Sequence, residues 1–178
     1  MLVPAAAVTA LAAEAQDAGS AALRALSSDE VTATGTSGTV TWTLYGDGEL
    51  VLAPTSGDTG TLESFSNKWD SGVLADVPWY LYRTSIYSVT VSGTVVCGES
   101  ATCMFYSCSK LETADLSGLD TSAVTDMSEM FFYCPSLTSL DLSSFDTSSV
   151  TDMSWMFYGC SSLESLDVSP LDTSSRPT

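Results

Sequence analysis

The sequence predicts an α/β solenoid: a right-handed coil of short parallel strands and short helices, preceded by a small β-rich capping module. The main observation is a spacing of 26 residues, at which Met, Leu, Cys and Asp recur in the second half of the 178-residue chain. The recurring positions are Met104, Met130 and Met156; Leu111, Leu137 and Leu163; Cys108, Cys134 and Cys160; and Asp115, Asp141 and Asp167. A fixed period of this length is typical of units that stack, because one unit cannot bury its own apolar side.

Each repeat contains two patterns of apolar residues. Alternation in Leu140-Asp141-Leu142 predicts a short strand with its leucines pointing inward. The second pattern has spacings of three and four, which predict one face of a short helix. It comprises Val150, Met153, Met156, Phe157 and Cys160. One strand and one helix per repeat is the plan of a leucine-rich repeat, including its Leu-x-x-Leu-x-Leu core.

Four regions follow one another along the chain. Residues 1–15 are predicted to be a partial signal peptide, because an apolar run precedes Ala13-Glu14-Ala15; an Ala-rich helix is the alternative, since no Lys or Arg precedes the run. The Ala, Ser, Thr and Gly of residues 16–38 predict a disordered linker. Residues 39–85 are the cap, where alternating apolar residues on both sides of Gly46-Asp47-Gly48 predict a β-hairpin. The repeats then occupy residues 86–110, 111–136, 137–162 and 163–178, the last of them incomplete.

The charge of the chain excludes several function classes. There are 5 Lys and Arg against 22 Asp and Glu, giving a net charge of −17, and there is no His. Such a surface repels nucleic acid and anionic membranes, which need clustered cations. Without His the chain lacks the commonest general base and metal ligand. We therefore expect no enzyme, no cofactor, no nucleic-acid partner and no direct membrane binding.

The five cysteines cannot all pair within one chain. Cys108, Cys134 and Cys160 follow the repeat, which indicates buried packing rather than a metal site. Cys97 and Cys103 lie outside that row, so a disulfide between them is one interpretation in an oxidising exterior.

The outward positions of the predicted strands are the candidate ligand-binding residues. They are Thr113, Asp115, Ser117, Ser139, Asp141, Ser143, Ser165, Asp167 and Ser169. A second row contains Asp120, Asp146 and Asp172, with two interpretations. Local hydrogen bonds to backbone and hydroxyl groups would hold the turns. Calcium is the alternative, because hard cations prefer several carboxylate and carbonyl oxygens.

The repeat also resembles a known family. The stretch at 140–160 reads Leu-Asp-Leu-Ser-Ser-Phe-Asp-Thr-Ser-Ser-Val-Thr-Asp-Met-Ser-Trp-Met-Phe-Tyr-Gly-Cys. It is similar to the repeats of BspA-like leucine-rich-repeat surface proteins of bacteria. The resemblance implies an exported, non-enzymatic protein at the cell surface that acts as an adhesin for matrix proteins or other microbes.

Three functions are therefore open. The first is a monomeric, adhesin-like protein whose acidic, hydroxyl-rich face binds an extracellular matrix or other surface protein. The second is a glycan-binding module that uses Trp42, Trp69 and Trp79, although an aromatic core is the alternative role for these side chains. The third is an architectural spacer.

Overall fold

The structure of the chain, a computed structural model, describes residues 30–70, 72–164, 166–169 and 171. It begins with three antiparallel strands: β1 (Val31–Ser37), β2 (Val40–Tyr45) and β3 (Glu49–Pro54). Strands β2 and β3 form the predicted hairpin, in which the alternating Val40, Trp42 and Leu44 are buried. The hairpin prediction is therefore confirmed. Residues 1–29, which contain the predicted signal peptide and most of the predicted linker, lie outside the described residues.

Strand β1 corrects the linker prediction for its last part. Val31–Ser37 pairs with β2 along its length, and the Thr34 hydroxyl donates to the Trp42 carbonyl oxygen at 2.8 Å. Gly35 makes room for the indole of Trp42, because a Cβ there would lie 2.7 Å from Trp42 Nε1. The composition of this segment is that of a linker, but pairing with β2 satisfies the backbone groups that face that strand.

The later strands join the hairpin to the repeats. They are β4 (Thr59–Thr61), β5 (Trp69–Asp70), β6 (Val73–Leu74), β7 (Ser88–Val91), β8 (Thr94–Val96), β9 (Thr113–Asp115) and β10 (Leu119–Asp120). A single 3₁₀ turn spans Tyr80–Tyr82. The strands form a mixed five-stranded sheet in the order β1-β2-β3-β7-β9, a parallel sheet in the order β10-β8-β4, and the hairpin β5-β6. The parallel part of the mixed sheet begins at β3, so the cap and the first repeats share one sheet.

The prediction of an α/β solenoid is wrong. Mixed and parallel sheets replace the ordered coil of strands and helices, and no α-helix occurs in the part of the chain that the structure describes. Leu140–Leu142, the predicted strand of the third repeat, is not assigned to a strand. Two residues before this segment, the Thr138 N–H donates to the Glu112 carbonyl oxygen of the preceding repeat at 3.2 Å.

Backbone hydrogen bonds explain why the predicted helices do not form. The N–H groups of Phe105 and Ser107 donate to Met130 and Phe132 of the next repeat, at 2.8 and 2.7 Å. The N–H of the intervening Tyr106 instead donates three residues back, to Cys103. An α-helix requires every N–H to bond four residues back within the same segment. Because the N–H groups bond alternately to the next repeat and within the segment, the segment is a chain of turns that is hydrogen-bonded to the next repeat.

Left-handed residues interrupt the same segments at regular positions. Positive φ angles occur at Cys103, Glu129 and Trp155 (60°, 57° and 61°) and at Ser107, Tyr133 and Gly159 (55°, 56° and 80°). Each set has the 26-residue spacing of the repeat. Because L-residues enter this region at a cost of about 1–2 kcal/mol each in helical geometry, a right-handed helix does not continue through them.

Successive repeats nevertheless lie side by side in parallel. Ser88 pairs with Thr113, Ser100 with Asp126, and Asp126 with Asp152. The core between them contains an inner aromatic stack of Trp79, Phe105, Phe131 and Phe157, with centroid separations of 6.3, 5.3 and 5.8 Å. Met104, Met130 and Met156 are buried beside it. In the described residues, no helix is long and apolar enough to cross a membrane.

Candidate binding surface

The predicted ligand-binding residues lie on one exposed surface of the repeats. Thr113 and Asp115 belong to β9, and Asp141 and Asp167 occupy the equivalent positions one and two repeats later. The exposed members are Thr113, Asp115, Ser117, Ser139, Asp141, Ser143, Asp167 and Ser169. We call this set the acidic face. The remaining predicted member, Ser165, lies outside the described residues.

Local hydrogen bonds hold each carboxylate of the acidic face in place. Each aspartate accepts a bond from the backbone N–H of the serine two residues later. These bonds are Ser117 to Asp115 at 3.1 Å, Ser143 to Asp141 at 2.8 Å and Ser169 to Asp167 at 2.9 Å. Hydrogen bonds from these serines lower the pKa of each aspartate below its ordinary value. The acidic face is therefore a set of ionised carboxylates in fixed orientations.

An open depression of about 330 Å³ lies on this face. Its lining residues are Thr113, Ala114, Ser139, Leu140, Asp141 and Asp167. Two carboxylates and two hydroxyl groups therefore surround a concave surface with a small apolar floor. Such a depression is suited to the end of a polar or cationic side chain.

Acid should weaken the fold through these aspartates. Their pKa values in the folded state lie below the unfolded value of about 3.9, so their stabilisation is present above that pH and is lost as the pH falls through the folded pKa. We expect the wild type to lose stability below about pH 4. The variant Asp115→Asn/Asp141→Asn/Asp167→Asn should lose less, because an amide oxygen accepts the serine N–H at every pH. Urea unfolding at a series of pH values around pH 4 measures the stability of the wild type and of the variant. Identical losses of stability in the two proteins would contradict the prediction.

The second row of aspartates has the same local bonding. Asp120 and Asp146 accept the N–H of Ser122 and Ser148, each at 3.0 Å. The Thr121 hydroxyl donates to the Asp146 carbonyl at 3.0 Å, which ties two repeats together. Within the described residues, no group of three or more His, Cys, Asp or Glu is arranged to hold a metal ion. Asp172, the third residue of the predicted calcium alternative, lies outside them.

Cys97 and Cys103, the predicted disulfide pair, are free thiols buried in the core. Burial raises the pKa of both to about 12, as it does for Cys108. The thiols of Cys134 and Cys160 each lie 3.2 Å from a main-chain oxygen of the preceding repeat, on Phe105 and Phe131. The cysteines thus act as small packing groups, and Cys134 and Cys160 also donate hydrogen bonds.

The three tryptophans of the predicted glycan platform differ in burial. Trp42 and Trp79 belong to the core, and Trp79 Nε1 donates to the Met104 carbonyl at 2.8 Å. Trp69 is 46% exposed. The core interpretation therefore holds for Trp42 and Trp79, and Trp69 alone of the three is available to a ligand.

The sequence analysis missed a second exposed surface, made of aromatic rings. Tyr106, Phe132 and Tyr158 recur every 26 residues and stack at 4.9 and 5.1 Å. Trp69 meets Tyr106 at 5.5 Å, and Trp155 meets Tyr158 at 5.1 Å. We call these five residues the aromatic face. Its signal was the pair of adjacent aromatics in each repeat, in which the first ring belongs to the inner stack and the second to the aromatic face.

Two comparisons with known proteins found a similarity. Residues 99–177 match a family described as "Mycoplasma protein of unknown function, DUF285". A solved leucine-rich repeat protein from Eubacterium ventriosum is similar at 22% identity and a TM-score of 0.39, covering 68% of this chain. This chain spans 28% of the length of that protein. No curated protein matches the chain. Neither description names an enzymatic activity.

Proposed function

We propose that this chain is a non-enzymatic, BspA-like surface protein that binds a basic macromolecular partner through the acidic face. The observation that carries the proposal is the row formed by Asp115, Asp141 and Asp167. These carboxylates are exposed, their pKa values are lowered, and serine N–H groups fix their positions. A preoriented row of charges loses little conformational entropy when a partner binds it.

Charge also determines the class of partner. Residues 111–171 contain ten Asp and Glu and no Lys or Arg. A negative field of this kind speeds encounter with a positive surface and excludes negative ones. The depression between Asp141 and Asp167 would accept the end of a Lys or Arg side chain. An extracellular matrix protein with a basic patch has the required chemistry.

We also propose that the protein is exported and acts as a monomer at the cell surface. The free thiols of Cys97, Cys103 and Cys108 are compatible with an oxidising exterior, because burial raises their pKa to about 12 and the reactive thiolate is scarce. The net charge of −17 disfavours self-association through electrostatic repulsion.

Binding to immobilised fibronectin and laminin at low and high salt tests the proposal. We expect binding at low salt that weakens markedly at high salt, because the contact is between charged surfaces. Asp115→Asn/Asp141→Asn should weaken it by about tenfold, from the loss of two charge-assisted contacts. Affinity that does not change with salt would contradict a role for the acidic face.

A matched variant separates position from total charge. Asp120→Asn/Asp146→Asn removes the same two charges from the same two repeats, but from the second row of aspartates. Both aspartates make the same type of bond to a following serine. We expect this control to bind nearly as well as the wild type. Equal losses in the two double variants would show that net charge alone matters.

A further inference from the structure

Three rings of the aromatic face are strongly exposed. Trp155 is 60% exposed, Tyr158 56% and Trp69 46%, although each contacts another ring. The face continues across three repeats through the stack of Tyr106, Phe132 and Tyr158. Contiguous apolar surface of this kind is costly in water and marks binding sites on soluble proteins.

Hydrogen bonds hold the first ring of the face. Trp69 Nε1 donates to Asn67 Oδ1 at 2.5 Å, and Asn67 Nδ2 donates to Glu129 Oε1 at 2.9 Å. A carboxylate is thus built into the support of the aromatic face. Asp126 lies near Glu129 and adds a second negative charge. The rings and the carboxylates together form a surface that favours cations over neutral or anionic ligands.

One end of this ring network already holds a guanidinium group. Arg83 lies over the ring of Tyr80, with its central carbon 4.2 Å from the ring centroid. Tyr80 in turn meets Trp69 edge to face at 5.8 Å. At the other end are Trp155 and Tyr158, whose ring centroids lie 5.1 Å apart.

We propose that the aromatic face is a second binding surface, which takes arginine side chains of a basic partner segment onto the rings of Trp155 and Tyr158. A planar guanidinium stacks on an aromatic ring and keeps its in-plane donors available, whereas the compact ammonium group of lysine is more strongly hydrated. The surface therefore discriminates arginine from lysine at equal charge. It shares no residue with the acidic face, so the two surfaces are tested separately.

The probes are oligoarginine and oligolysine peptides of equal length, titrated into the full chain by calorimetry. We expect the arginine peptide to bind about fivefold more tightly, which corresponds to one partly exposed stacking contact. Tryptophan emission should shift on binding, because Trp155 and Trp69 are exposed while Trp42 and Trp79 are buried. Equal affinities for the two peptides would overturn the proposal.

Variants assign the arginine preference to the rings. Trp155→Ala and Trp155→Leu should both abolish the difference between the peptides, since leucine keeps an apolar side chain but has no ring. Tyr133→Ala is the matched control: Tyr133 is 52% exposed in the same part of the repeats but is outside the aromatic face. It should keep the difference. Thermal unfolding of each variant checks that the fold is retained.

The same titrations distinguish this proposal from the proposed function. Asp115→Asn/Asp141→Asn should weaken both peptides equally if the acidic face attracts cations, and should leave the arginine preference intact. Loss of the preference in that variant would overturn the separate role of the aromatic face. Cello-oligosaccharides provide the other outcome: an emission shift with these sugars, with no preference for arginine, would identify the aromatic face as a glycan site instead.

Discussion

Phe131→Ala should lower the free energy of unfolding by about 3–5 kcal/mol, the usual cost of emptying a fully buried phenylalanine site. Phe131 has no exposed surface and lies between Phe105 and Phe157 in the inner aromatic stack, at 5.3 and 5.8 Å. Its removal leaves a cavity that separates two repeats. Urea denaturation measures the loss. The midpoint urea concentration should fall, whereas the m-value, which reports the surface exposed on unfolding, should not increase.

Tyr133→Ala is the control for this measurement. It removes an aromatic ring two residues further along the same repeat, but 52% of that side chain is already exposed. Its left-handed backbone, at φ 56°, is unchanged by alanine. We expect a loss below about 1 kcal/mol, as for an ordinary surface substitution. A loss of stability as large as that of Phe131→Ala would contradict the conclusion that Phe131, and not Tyr133, belongs to the core.

Gly38→Ala should also be strongly destabilising, by about 3 kcal/mol or more, because two costs coincide there. Gly38 has φ 58°, and a Cβ would lie 2.2 Å from the carbonyl oxygen of Thr61. That oxygen accepts the Thr39 N–H at 2.9 Å, so it cannot move away without losing a hydrogen bond. The expected result is a large fall in the melting temperature, measured by circular dichroism.

Gly57→Ala isolates the backbone cost from the clash. Gly57 has a similar φ of 69°, but nothing lies within 4 Å of the position its Cβ would take. We expect a loss of about 1 kcal/mol, from left-handed strain alone. If the two glycine variants were equally stable, the contact between the β1-β2 turn and β4 would not restrain the fold.

The hairpin was predictable because its information is local. Val40, Trp42 and Leu44 alternate on β2, and Gly48, at φ 87°, closes the turn that the sequence places there. Strand β1 was not predictable in the same way. Its Thr residues alternate with small side chains, of which Ala33 and Ser37 are buried, and its structure depends on pairing with β2. Composition describes a segment alone, whereas an edge strand is stabilised by its neighbour.

The predicted helices failed for a different reason. Met130, Phe131 and Cys134 are buried, as the spacing of three and four indicates. That spacing reports which side chains face inward, and a chain of turns with regular left-handed residues produces it as well as a helix does. The acidic face was predicted from outward positions that remain outward whether or not a strand forms. The aromatic face was missed because exposed rings were not expected beside core rings.

The sequence by itself determined the 26-residue spacing, the inward side chains of each repeat, the hairpin and the strongly acidic surface. Only the tertiary structure decided the backbone path and the exposure of the outer rings. The physical reason is the destination of the main-chain N–H groups. The N–H of Phe105 can bond within its own turn or to Met130, 25 residues away, and it bonds to Met130 at 2.8 Å. Side-chain hydrophobicity carries no information about that choice, which is made when two repeats come into contact.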